Sequence, residues 1–86
     1  MCLESYDKEI DSYIFRTCKT RLSSFKKWNG KLNAEDLAIV GFYYTSYLDI
    51  CKCYYCGVEI FEWKSDDCPI NEHYRLFKNC DLIKCL

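Results

Sequence analysis

Eighty-six residues make one domain and bury too little surface for comfortable stability on packing alone, so an added staple is expected. Half of them are hydrophobic and 17% aromatic, which excludes a disordered or low-complexity chain. A formal net charge of -1, from 12 basic and 13 acidic residues, supplies no overall field that would draw the chain to nucleic acid or to an anionic membrane.

Leu3, Tyr6, Ile10, Tyr13 and Ile14 recur at helical spacing and predict an N-terminal helix or arm over residues 1–16. The same stretch has no basic leader region and no continuous apolar run, so it does not read as a signal peptide, and nowhere does the chain approach the roughly 18 apolar residues of a membrane span. A cytoplasmic chain, cellular or viral in a host cell, keeps its thiols reduced; its eight cysteines then favour a metal over disulfides. From Arg16 to Lys31 the basic residues Arg16, Lys19, Arg21, Lys26, Lys27 and Lys31 occur with no acid among them, and they read as a solvated basic face. "RLSSFKKW" sets Leu22 and Phe25 three apart, predicting a short helix that buries both and ends near Asn29-Gly30. "NAEDLAIVG" predicts a capped helix, with Asn33 accepting from the first free N–H groups, Glu35 and Asp36 at the positive end of the dipole, Gly41 as terminator, and Leu37, Ala38 and Val40 facing the core.

After Gly41 the composition turns aromatic and β-branched, predicting three short antiparallel strands with a turn near Ser46 to Asp49. "CPINEHYRLF" predicts a helix with Pro69 at its first position, where a missing N–H costs nothing. The expected class is α+β: short helices around a small three-stranded sheet, a single domain over 1–86 with its core at about 17–83.

Cys53, Cys56, His73 and Cys80 form C-x2-C-x16-H-x6-C, and the first pair with Gly57 behind it has the form of a zinc knuckle. Seven helical residues would hold His73 and Cys80 roughly 10 Å apart, too far for two ligands of one ion, so the helix must end between them, with Lys78-Asn79 as the expected break. Three thiolates and one imidazole saturate a tetrahedral ion, which makes a single Zn2+ structural and leaves no position for catalysis. Cys51, on the same strand face as Cys53, is an alternative donor but reads better as a small buried hydrophobe.

Taken together, "RLSSFKKW", "LAIVGFYYTS", "DICKCYYCGVEIFEW" and "DDCPINEHYRLFKNC" resemble the baculoviral IAP repeat, the BIR domain of inhibitor-of-apoptosis proteins, most of all the first repeat of insect and baculovirus members. The resemblance covers about 60 residues, including the metal spacing. It implies a non-catalytic module that binds the exposed N-terminus, usually alanine, of caspases or pro-apoptotic proteins and so suppresses cell death; that no nucleic acid or membrane is a partner is expected from the charge and hydropathy above, not from the resemblance. On this sequence it implies that Ile60, Phe61 and Glu62 line a strand edge to which a peptide adds. Asp67 and Glu72 would receive its ammonium group, Trp63 would wall the first side-chain pocket, and Leu76 stands where many strong binders carry tryptophan. Each has a plainer reading: Trp63 as core, Asp67 as cap of the helix at Pro69, Glu72 as a solvated acid. Ser46 replaces a usual glycine and Cys68 a usual acid, and Glu59 with Leu76 suits an ungrooved type that docks or dimerises through its helices.

Overall fold

The computed structural model describes residues 13–84. Most of the expected N-terminal helix lies outside them; Tyr13 and Ile14, which fall inside, are both exposed. Chain order is helix α1 (Cys18–Ser23), helix α2 (Ala34–Ile39), strands β1 (Phe42–Tyr44), β2 (Cys51–Cys53) and β3 (Glu59–Ile60), helix α3 (Pro69–Leu76) and helix α4 (Asp81–Lys84). The strands form one antiparallel sheet in the order β1-β2-β3, so among the described residues β3 is an edge strand with one side unpaired. This is the α+β arrangement of short helices around a three-stranded sheet. Among the described residues no helix is long and apolar enough to cross a membrane.

Helix α1 begins at Cys18 because the Thr17 hydroxyl accepts from the Thr20 amide and caps it. That start sets the buried face on Arg21, while Leu22 is exposed, and the helix stops at Ser23 rather than near Asn29-Gly30, so that Phe25 is buried from the turn that follows it; the expected Leu22 burial is therefore corrected to Arg21. The guanidinium is also no part of a solvated basic face. Its Nε donates to the Ala38 carbonyl at 2.8 Å, one Nη donates to the Phe15 carbonyl at 2.9 Å, and it lies 4.7 Å from the centre of the Tyr54 ring. Arg21 thus places a positive charge at the negative C-terminal end of α2, where the helix dipole favours it.

Helix α2 follows its sequence signals. The Asn33 carboxamide oxygen accepts from the Glu35 and Asp36 amides, both acids sit in the first turn, and Leu37 and Ala38 are fully buried. Gly41 has φ +106°, and a β-carbon there would come within 2.4 Å of Leu82. Its backbone donates to the Ala38 carbonyl and accepts from the Tyr54 amide, so one residue stops α2, enters β1 and fastens the zinc knuckle to both.

Phe42, Leu37 and Cys51 have no exposed surface; sealing Phe42 and Leu37 from water stabilises the fold by about 1.5–3 kcal/mol each. Trp63 packs edge-on against Phe42 at 5.6 Å, and Phe25, Trp28 and Tyr44 form a second aromatic group on the same core.

The turn between β1 and β2 shows what replaces the usual glycine: Ser46 takes φ 68° and Leu48 φ 51°. Left-handed backbone costs an L-residue roughly 1–2 kcal/mol, part of which glycine returns as unfolded-chain entropy. Ser46→Gly is accordingly expected to stabilise the domain by about 0.5 kcal/mol, read as a small rise in the urea midpoint.

Candidate metal centre and the adjoining sheet edge

The donor atoms of Cys53, Cys56, His73 and Cys80 all lie within 4.8 Å of one another. Each arrives for a local reason. Cys53 ends β2, and the chain turns so tightly behind it that the Cys56 amide approaches the Cys53 sulfur at 3.5 Å and the Gly57 amide donates to the Cys53 carbonyl at 2.9 Å. Gly57 closes that turn at φ 84°, the conformation glycine adopts without steric cost. His73 projects inward from α3, whose Pro69 sits at the first position as the sequence predicted. The helix does end before Cys80, but the break is at Phe77, with φ -155° and ψ 75°, rather than at Lys78-Asn79. An extended residue redirects the chain as well as a left-handed one, and the Cys80 amide then donates to the Phe77 carbonyl at 3.3 Å.

The four residues fit a zinc ion. Cys53 and Cys80 sulfurs are 3.9 Å apart, against the roughly 3.8 Å set by tetrahedral zinc–sulfur bonds of about 2.3 Å. His73 turns Nε2 to within 3.4 Å of the Cys56 sulfur; its ring is fully buried, and Nδ1 has no complete hydrogen bond. Burial pushes the imidazole below its usual pKa, the Val40 backbone opposing weakly, so the ring is held in the neutral form that ligates metal. The same burial pushes the Cys53 thiol up and the Cys56 thiol up to about 12. Thiolates packed this closely in a dry site need a cation among them, and a divalent ion held by these four residues supplies that charge while leaving no open position for substrate.

Cys51 stands apart from the cluster. It is buried on the core face of β2, its thiol pushed up to about 12 chiefly by desolvation, and the buried indole N–H of Trp63 lies beside it without a full hydrogen bond. It packs as a small hydrophobe. Cys18 and Cys68 are exposed, and all six cysteines among the described residues are free of disulfides.

Beyond β3 the chain makes a feature that the sequence did not announce. Asp49, in the hairpin, accepts from the Glu62 amide with one carboxylate oxygen and from the Trp63 amide with the other, both at 2.9 Å. This clamp holds Glu62 at φ 58° and turns Trp63 into the core, where it is 3% exposed. Asp49→Ala is expected to cost about 2–3 kcal/mol, the worth of charge-assisted bonds to two amides that it would orphan, and to broaden the Glu62 and Trp63 amide resonances in a proton–nitrogen NMR spectrum.

A hollow of about 360 Å³ opens between β3 and α3, lined by Glu59, Ile60, Phe61, Glu62, Lys64, Asp67, Glu72, Arg75 and Leu76. It gathers six of the seven residues that the resemblance singled out; Trp63 instead borders a neighbouring hollow with Leu48 and Asp49. Ile60 turns its side chain to the core, whereas Phe61 and Leu76 are about half exposed. Asp67 does not cap α3. Its carboxylate accepts from the Lys64 amide at 2.8 Å, closing the turn before the helix, and Cys68 stands at the cap with no side-chain bond. Glu72 is not a free solvated acid either, since its carboxylate pairs with Arg75 at 2.7 Å.

Comparison with known proteins agrees with this geometry. The chain is 35% identical over 86 residues to the apoptosis inhibitor 193R of Invertebrate iridescent virus 6, covering 93% of this chain and 41% of that one. It is similar to the structure of DIAP1 BIR1 bound to a Grim peptide, with TM-score 0.76 and 40% identity over 79% of this chain and 71% of that one. The autoinhibited dIAP1-BIR1 domain matches with TM-score 0.78 and 39% identity, covering 81% and 73%. The chain spans less than half the length of the curated relatives it matches. A family profile described as "BIR: Inhibitor of Apoptosis domain" matches residues 21–84, and on that match, with the zinc-ligand cluster and the sheet behind it, the chain belongs to the BIR family.

Proposed function

We propose that this BIR domain, one unit with its core at about residues 17–83, works in the cytoplasm as part of an inhibitor of apoptosis. It would bind the exposed N-terminal alanine segment of a caspase or pro-apoptotic protein and so suppress cell death. The observation that carries this reading is the hollow, where the edge of β3, unpaired among the described residues, lies beside Asp67 and Glu72 and the half-exposed Phe61 and Leu76. An extended peptide adds to such an edge through its backbone, with Ile60, Phe61 and Glu62 supplying the edge. Asp67 and Glu72 offer carboxylates to the terminal ammonium, a charge-assisted bond, and Leu76 and Phe61 offer apolar cover to the following side chains. Trp63, packed beneath the strand exit, holds that edge in place. The Grim peptide on DIAP1 BIR1, a domain 40% identical to this chain, supports the same use here.

Calorimetry with an alanine-initiated tetrapeptide tests it. Acetylating the amine removes its charge and is expected to weaken binding about 10- to 100-fold; equal binding of the two forms would contradict the proposal. Asp67→Asn keeps an oxygen for the Lys64 amide while removing the charge, so it too should weaken the free peptide. The exposed Tyr74 and Phe77 at the end of α3 favour a second reading, docking or dimerisation through the helices, and in that case Asp67→Asn leaves partner binding intact.

A further inference from the structure

One of the two acids assigned above to the incoming ammonium already holds a cation. Glu72 and Arg75 lie three residues apart on α3, both line the hollow, and the Glu72 carboxylate accepts from the Arg75 guanidinium at 2.7 Å. Arg75 keeps 64% of its side chain exposed against 21% for Glu72, so the arginine is free to swing away while the acid stays in the wall. Asp67 adds its field: Glu72 first, and Asp67 more weakly, favour the charged guanidinium at this spot. A guanidinium and a peptide ammonium are like charges seeking the same carboxylate.

We propose that Arg75 is a specificity-determining residue of the hollow, competing through its ion pair with Glu72 against the ammonium group of an incoming peptide. The proposal rests on the peptide-binding reading above and adds to it a residue that lowers affinity. A free N-terminus must displace Arg75 or share Glu72 with it, whereas a blocked N-terminus gains nothing from its departure. Arg75 thereby raises the demand on the rest of the peptide's contacts. Arg75 is the largely exposed partner, so the pair's hold is modest and screened by salt.

The test compares wild type, Arg75→Gln and Lys78→Gln by calorimetry, using free and acetylated alanine-initiated tetrapeptides at low and high salt. Lys78 is exposed and outside the hollow, so its variant reports the effect of losing one positive charge close by in the chain but not in the hollow. Arg75→Gln is expected to bind the free peptide about two- to fivefold more tightly, with no change for the acetylated peptide and with the gain fading at high salt. Unchanged or weaker binding of the free peptide by Arg75→Gln would overturn the proposal while leaving the site in place, and so would an equal gain in Lys78→Gln. If no variant distinguishes free from acetylated peptide, the peptide-binding reading itself falls, and this proposal with it.

Discussion

A Cys80→Ser chain is expected to be unfolded at 25 °C, with lost amide dispersion and a random-coil far-UV circular dichroism spectrum, in the presence of zinc. The reason is one of magnitude. Structural zinc binding contributes about 10–16 kcal/mol in small domains, and a domain's whole stability is about 5–15 kcal/mol. The elements here are two to eight residues long, too short to hold themselves, and the four ligands come from β2, the knuckle, α3 and the residue just before α4. Removing one ligand both weakens the ion and leaves two thiols and an imidazole crowded in a buried site. A chelator should do the same to the wild type. Cys68→Ser is the contrasting case: its sulfur is exposed and away from the cluster, so that variant should keep both metal and fold.

Arg21→Met is expected to lower stability by about 3 kcal/mol while leaving zinc bound. The methionine keeps much of the apolar stem but gives up bonds to the Ala38 and Phe15 carbonyls, each worth about 1.5–3 kcal/mol when the donor is charged, and frees the C-terminal end of α2. It also removes the contact with Tyr54, about 0.5–2 kcal/mol for a partly desolvated cation over a ring. Part of this loss is offset because a buried guanidinium is costly to dehydrate. Urea titration of the zinc-loaded protein reads the change as a lower midpoint at constant slope; a midpoint equal to that of wild type would show that the buried guanidinium contributes nothing.

These two residues also mark where sequence reasoning works and where it stops. The metal spacing was legible because a tetrahedral ion imposes short distances on few residue types, and so were the Asn33 cap, the Gly41 stop, the Pro69 start and the hairpin, all set by neighbours within a few positions. Arg21 was not, because charge counting groups it with the lysines around it, and its carbonyl partner on α2 lies 17 positions away. Asp49 reaches 13 and 14 residues along the chain to grip two amides, and no periodicity marks that. Asp67 illustrates a finer failure: its neighbourhood suggested a helix cap, but the turn from Lys64 brought a nearer amide within reach. Local rules placed the elements, and long-range polar contacts decided how β3 leaves the sheet.

X-ray absorption at the zinc edge, on protein purified under reducing conditions, asks most directly whether one ion organises this domain. Three sulfurs at about 2.3 Å and one nitrogen at about 2.0 Å are expected, with one zinc per chain. A four-sulfur shell, which would bring Cys51 in for His73, would contradict the account, as would a shell holding water oxygen or a folded protein that contains no metal.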